Sequence, residues 1–331
     1  MIRRREFITL LGGAAAAWPL AAGAQQPNSM RRVGVFMNVS EADPEGQVRV
    51  AVLRQALEKL GWTVGRNLAI DYRWGMGDDD RTRGAVAELV RSAPDVILAN
   101  GGPSVPPLLQ ATRTIPIVFT LVSEPVALGF VASLARPGGN ITGFTNVEPT
   151  IGSKWLELLK EMASRVTRFA VMFNPETSTI GAQIVGSAES AAQRFAVELV
   201  EARVRQPSDI ETTIAALARE QRGGLIVAPD SFTQYHRKLV LDLAVRYQLP
   251  AIYPYRYYAD EGGLMSYGVD THHQYRQAAE YIDRILRGEK PGDLPVLQPT
   301  KFELVINLKT AKALGLTVSR DMQLIADEVL E

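Results

Sequence analysis

Polar residues cluster directly behind apolar runs, where a parallel sheet would deliver them to its carboxyl edge and to any ligand bound there. In the first half these are Asn38 and Ser40 after residues 33–37, and Asn100-Gly101-Gly102-Pro103-Ser104 after residues 96–99. Thr120, Ser123 and Glu124 stand at the end of the run 117–120. The second half offers Asn174 after residues 169–173, Asp230 and Ser231 after 224–228, and Tyr253 and Tyr255 at the end of 251–253. Hydroxyls and the free N–H groups of a helix start suit a carboxylate. Asp230 suits an ammonium through a charge-assisted hydrogen bond. The tyrosines at 253, 255, 257, 258 and 267 could stack on a flat ligand. Hydroxyls facing a carboxylate and aromatics describe recognition of an amino acid, with an aromatic one favoured. A peptide, an aromatic acid or a nucleobase-like compound satisfies the same groups.

Each group also has a plainer reading. Gly-Gly-Pro is an efficient strand-to-helix turn, Glu124 can cap the turn beside Pro125, and Asp230 can be the N-cap of the helix that follows. Tyrosines at element ends also pack in cores. Asn146 stands near the first expected passage of the chain between two halves.

Chemistry of other kinds finds little support. The chain has 3 histidines and no cysteine, which excludes disulfides, thiolate metal sites and a Cys nucleophile. No His-Glu-x-x-His, phosphate loop or Gly-x-Ser-x-Gly elbow occurs. His236, His272 and His273 fall on expected helices rather than strand ends. No metal, cofactor or catalytic residue is expected, and the reading is of a protein that is not an enzyme. A periplasmic α/β enzyme is the rival.

These residues need a scaffold, and the sequence supplies an α/β one. Short apolar runs alternate with segments of helical period, the pattern of parallel strands covered by helices. Val48, Val52, Leu53, Leu57 and Leu60 recur at helical spacing, and Gly61 stands where a left-handed cap would end that helix. Near Trp155 the alternation restarts, with helices expected over 155–162, 181–195, 209–220 and 235–247. The unit from Asp95-Val96-Ile97-Leu98-Ala99 to Ile115-Pro116-Ile117-Val118 is echoed from Gly224-Leu225-Ile226-Val227-Ala228 to Leu249-Pro250-Ala251-Ile252. The expected fold class is therefore α/β, two similar doubly wound lobes with parallel sheets joined by a hinge. Residues 30–145 form the first lobe, completed by part of 268–300. Residues 146–267 form the second, completed by part of 300–331, with 308–314 a short helix and 324–330 a surface tail.

The first 24 residues read as a cleaved leader: Arg3, Arg4 and Arg5, a short apolar stretch, then Ala22-Gly23-Ala24. The apolar stretch is too short to span a bilayer. Without those residues the 36 basic and 36 acidic side chains become 33 and 35, a net charge of −2 that gives no reason to expect a nucleic-acid partner.

Several stretches carry a family resemblance. They include Arg4-Arg5-Glu6-Phe7-Ile8, Ser123-Glu124-Pro125-Val126, Arg136-Pro137-Gly138-Gly139-Asn140-Ile141-Thr142-Gly143 and Ile306-Asn307-Leu308-Lys309-Thr310-Ala311. In this order they resemble the ABC-transporter solute-binding proteins of the periplasmic binding protein type I class, nearest to the tryptophan/tyrosine-binding-like subfamily. The resemblance implies a monomer exported to the periplasm. Its lobes would close on a small molecule and present the closed form to a permease. A ligand sensor for a membrane receptor would use the same fold.

Overall fold

The computed structural model describes residues 30–75, 79–178, 180–219 and 222–331. The expected leader and its expected cleavage point near Ala24 lie outside the described residues.

The first lobe runs β1 (Arg31–Met37), α1 (Pro44–Lys59), β2 (Leu68–Trp74), α2 (Asp79–Arg91), β3 (Val96–Asn100), α3 (Val105–Ala111), β4 (Ile117–Val122) and β5 (Ile141–Thr145). The second runs α4 (Ile151–Met162), β6 (Arg168–Phe173), α5 (Gly181–Phe195), β7 (Glu198–Arg203), α6 (Pro207–Arg219) and β8 (Gly223–Val227). It continues through α7 (Ser231–Tyr235), α8 (Arg237–Arg246), β9 (Ala251–Tyr253), α9 (Arg256–Asp260) and β10 (Met265–Val269). The chain then returns as α10 (Thr271–Leu286), crosses again into β11 (Phe302–Asn307), and ends with α11 (Leu308–Ala313), α12 (Arg320–Ile325) and β12 (Glu328–Leu330).

The first sheet has the order β2-β1-β3-β4-β5 and is parallel throughout. The second repeats it as β7-β6-β8-β9-β10 and adds β11, antiparallel to β10, and then β12. The echo between residues 95–118 and 224–252 thus falls on the third and fourth strands of each lobe. Side chains alternate between the two faces as a doubly covered sheet requires. Val33, Val35 and Met37 pack under α1 and α10, whereas Phe36, Ile97 and Ala99 pack under α2 and α3. Trp155 anchors the second core, fully buried, with its indole N–H donating to the Tyr267 carbonyl at 2.7 Å.

Four features depart from the sequence expectation. The helix expected over 235–247 is α8, and a further short helix, α7, precedes it across His236. The tail expected over 324–330 ends in β12, which pairs with β11. Strands β5 and β10 both fall outside the expected runs; β5 lies in the Asn-Ile-Thr-Gly stretch, which carries no long apolar run. Gly143 permits it, because a Cβ there would sit 2.2 Å from the Phe119 carbonyl oxygen. Finally, α1 is rotated from the expected face: Leu53 and Leu57 are buried and Val52 and Leu60 pack against the core as the spacing predicts, but Val48 is 44% exposed, and Glu45, Gly46, Arg49 and Val50 are buried.

Three segments join the lobes: residues 146–150, Asp270, and 298–301. They lie together. Leu297 donates to the Gly143 carbonyl at 3.0 Å and accepts from Thr145 at 2.9 Å, and Gln274 donates to the Thr145 carbonyl at 2.6 Å.

Candidate functional site

In a sheet of order 2-1-3-4-5, the loops after strands 1 and 3 diverge to opposite faces and leave a crevice. In the first lobe that crevice holds Asn38 and the Asn100-Gly101-Gly102 turn; in the second it holds Asn174 and Asp230. The two crevices face each other across the cleft. Asn38 Nδ2 donates to Ser231 Oγ at 2.8 Å, directly from lobe to lobe. Gly101 has φ 81°, which a side chain tolerates poorly, so glycine lets this turn run beside Ser231.

Nearer the hinge, Ser123 Oγ donates to Asn146 Oδ1 at 2.6 Å, and Asn146 Nδ2 donates to Tyr255 Oη at 2.9 Å. A register shift in β4 between Phe119 and Val122 accompanies φ 56° at Leu121. Such a bulge re-aims a side chain, and Leu121 packs among second-lobe residues. Gln274 fixes the bulge by accepting from the Leu121 N–H at 3.2 Å.

Farther out, the Arg237 guanidinium, with its side chain 7% exposed, pairs with Asp43 across the cleft and with both oxygens of Glu261 at 2.9 Å. Asp43 is also the N-cap of α1, accepting from the Gly46 N–H at 2.7 Å. These contacts make a closed conformation. The cleft retains about 40 Å³, room for one or two waters, so a larger solute enters only when the lobes part.

Of the residues expected at the site, Asn100, Gly101, Gly102, Ser123, Asn146, Asp230 and Ser231 line this cleft, and Asn38 bridges it. Thr120 is fully buried and does not line the cleft. Asn174 is buried too, its N–H donating to Asp230 at 3.2 Å. The remaining expectations are corrected. Ser104 Oγ donates to the Gly101 carbonyl at 2.6 Å and so ties its own turn. Ser40 accepts from the Ala42 N–H at 3.2 Å in the turn before α1. Glu124, at φ 49°, holds the next turn through its carbonyl and lines a separate groove with Gln298. Tyr253 faces the second-lobe core, stacked on Tyr258 at 4.9 Å, and Tyr267 stacks on Phe302 at 5.6 Å, outside the cleft. The strand alternation that would have aligned Tyr253 with Tyr255 ends at Tyr253, and only Tyr255 reaches the cleft.

The expected ammonium partner also behaves differently. Asp230 is the N-cap of α7, and its oxygens accept four hydrogen bonds inside its own lobe. These come from Thr233 N–H (2.8 Å) and Oγ1 (3.0 Å), Asn174 N–H (3.2 Å) and Thr177 Oγ1 (3.2 Å). Burial nevertheless pushes its carboxyl up to about 6, because those bonds only partly offset the lost hydration.

Arg49 carries no strand-end signature. It is fully buried on α1, its Nε donating to Glu45 Oε1 at 2.8 Å and its guanidinium 5.3 Å from the centre of the Tyr257 ring across the cleft. Among the described residues its two terminal nitrogens have no hydrogen-bond partner, nor do Asn100 Nδ2, Thr120 Oγ1, Gln234 Nε2 and Tyr257 Oη. A buried unsatisfied donor costs about 1–3 kcal/mol, more when charged. A cation over a ring recovers about 2 kcal/mol when desolvated but does not satisfy the N–H groups. Glu45 is held in its charged form beside Arg49. Burial alone would push its carboxyl up, but the His272 hydrogen bond, the Arg49 charge and the Thr271 hydroxyl outweigh it and hold it at about 2.

Two lobes of one strand order, meeting at paired crevices and joined by adjacent crossings, define a two-lobed binding protein of the periplasmic binding protein type I architecture. This chain belongs to the family of ABC transporter substrate binding proteins, whose sequence model matches residues 32–330. It is a family of binding proteins, not of enzymes. A relative described as a tyrosine-binding protein, from Clostridioides difficile, is 31% identical over 79% of this chain and 75% of its own. A conserved domain protein of Vibrio cholerae superposes with a TM-score of 0.83, at 28% identity over 91% of this chain and all of its own. A Streptococcus pneumonia ABC domain in complex with L-Trp gives 0.83 at 22% identity, again over 91% of this chain and 100% of that one. The ligand-free, open form of a Clostridium difficile substrate-binding protein gives 0.67 at 25% identity, over 91% of this chain and 99% of that one.

Proposed function

We propose that this protein works outside the cytoplasm as the monomeric receptor of an ABC importer, binding an aromatic amino acid between its lobes and delivering it to the permease. The observation that carries the reading is the meeting of the two crevices. Asn100-Gly101-Gly102 on one lobe and Asp230-Ser231 with Tyr255 on the other enclose a single polar cleft with one aromatic wall. Backbone N–H groups and amides suit the ligand's polar end, and Tyr255 offers a face for a ring. The family supplies the permease as partner, and the tyrosine-binding relative makes tyrosine the first solute to try. Closure is then a population shift, since a ligand that touches both lobes favours the closed state.

The test is native mass spectrometry of the purified mature protein, with identification of the molecule released on denaturation, followed by thermal-shift titration with the amino acids. An aromatic amino acid that co-purifies, raises the melting temperature and shrinks the radius of gyration in solution scattering is the expected result. A sugar or polyol in its place would overturn the amino-acid assignment.

A further inference from the structure

The hydrogen-bonding groups left without partners around Arg49 are unbalanced. Arg49 Nη1 and Nη2, Asn100 Nδ2 and Gln234 Nε2 can only donate, and the hydroxyls of Tyr257 and Thr120 can donate. These groups share an environment. Tyr257 lies under the Arg49 guanidinium and stacks on Tyr255 at 5.5 Å, and Tyr255 lines the cleft with Asn100 and Gln234. The one acidic partner of Arg49, Glu45, meets Nε and is itself engaged by Thr271 Oγ1 at 3.0 Å, which leaves the outer edge of the guanidinium unanswered. What such a set lacks is an acceptor-only group of small size. A carboxylate is that group, and a guanidinium binds it through two parallel hydrogen bonds.

We propose that Arg49 is the anchor for the ligand's carboxylate, its two terminal nitrogens forming a forked pair that Asn100 and the Tyr257 hydroxyl complete as the lobes close. The inference rests on the reading of the cleft as a solute site and deepens it by fixing the class of solute: a small carboxylate. Arg49 lies on the first lobe and Tyr257 on the second, so one ligand group touches both. Parting the lobes uncovers Arg49 to receive it. Glu45 holds the guanidinium in place through Nε and keeps the outer edge free.

Four probes test this by thermal shift and titration calorimetry: L-tyrosine, L-leucine, benzoate and tyramine, the last being tyrosine without its carboxylate. They are titrated into the wild type, Arg49→Lys, and the double variant Glu45→Gln with Arg49→Met, which removes both charges and leaves no buried ion alone. The expected result is that L-tyrosine binds the wild type at least a hundredfold more tightly than tyramine. The double variant loses that discrimination, and the lysine variant keeps part of it. Retained cooperative unfolding shows that the double variant is folded. Tyramine binding within threefold of L-tyrosine, or a folded double variant that binds L-tyrosine as the wild type does, overturns the Arg49 assignment and leaves solute binding standing. Binding of L-leucine or benzoate without L-tyrosine overturns the aromatic amino-acid reading and leaves Arg49 standing. Failure of all three carboxylates to bind overturns both.

Discussion

Asp230 and Arg49 are both buried charges at the cleft, one in each lobe, and they are finished in opposite ways. Asp230 accepts four hydrogen bonds from its own lobe and caps its own helix. Arg49 has one partner on its own helix, a ring from the other lobe, and two nitrogens with nothing. A buried charge whose hydrogen bonds close within one lobe serves the architecture, whereas one left incomplete calls for an explanation, which the proposed carboxylate supplies for Arg49. The difference reverses the roles that residue type alone suggests, since Asp230 is the more obvious ligand group in the sequence.

Acid should separate the lobes by the largest margin. Glu45, held at about 2, contributes stability that is complete above its unfolded value of 4.5 and is lost as pH falls through about 2. Asp230, raised to about 6 from 3.8, runs the other way. Its contribution is present below 3.8 and is lost as pH rises through about 6. Each is worth about 3 kcal/mol over its window. Urea unfolding of the wild type from pH 7 downwards should therefore show stability rising to about pH 4 and then falling. Asp230→Asn should flatten the upper limb and Glu45→Gln the lower. A wild type that loses stability steadily from pH 7 would break the comparison on the Asp230 side.

A smaller effect is expected at the outer lip. Replacing Arg237 by Met leaves Asp43 buried without its partner only when the lobes are closed, so the open state gains. About tenfold weaker binding of the co-purifying solute, near 1.4 kcal/mol, should accompany a larger radius of gyration without ligand, with the melting curve still cooperative. Unchanged scattering and affinity would mean that the ion pair does not favour closure. Smallest of all is Tyr267→Phe. Because Tyr267 stacks on Phe302 away from the cleft, affinity should stay within about twofold of the wild type, or about 0.4 kcal/mol.

Strand positions were legible because strands buried on both faces read as apolar runs, and the residues behind them mark the crevices. Asn38, Asn100, Gly101 and Ser231 follow from that logic alone. Strand β5 was not legible, because Thr142 and Gly143 interrupt its apolar character for reasons of contact with β4 and with the segment between α10 and β11: Thr142 donates to the Leu294 carbonyl at 2.7 Å. Arg49 was hidden by a rotation. The spacing of Val48 and Val52 suggests one face of α1, while Glu45, Arg49 and Leu53, each four residues apart, define the face that is buried. An Arg and a Glu in register with buried leucines was the available signal. Tyr255 could be named as a candidate, but its separation from Tyr253 depends on where a three-residue strand ends, which no pattern in the chain reveals.

The three adjacent crossings leave the lobes essentially one axis to turn about, and that turns distance from β5 into leverage. Strand spacing of about 4.8 Å places β1, three strands away in the sheet, about 14 Å from the axis, so a rotation of about 20° moves the residues after it by about 5 Å. Asn146 and Ser123, close to the axis, move far less. Separation must therefore proceed from the rim inward. The Asp43–Arg237 pair lets go at small angles, while the groups near the pivot still hold. How long a solute stays would then be governed at the rim, and which solute stays would be decided at the pivot.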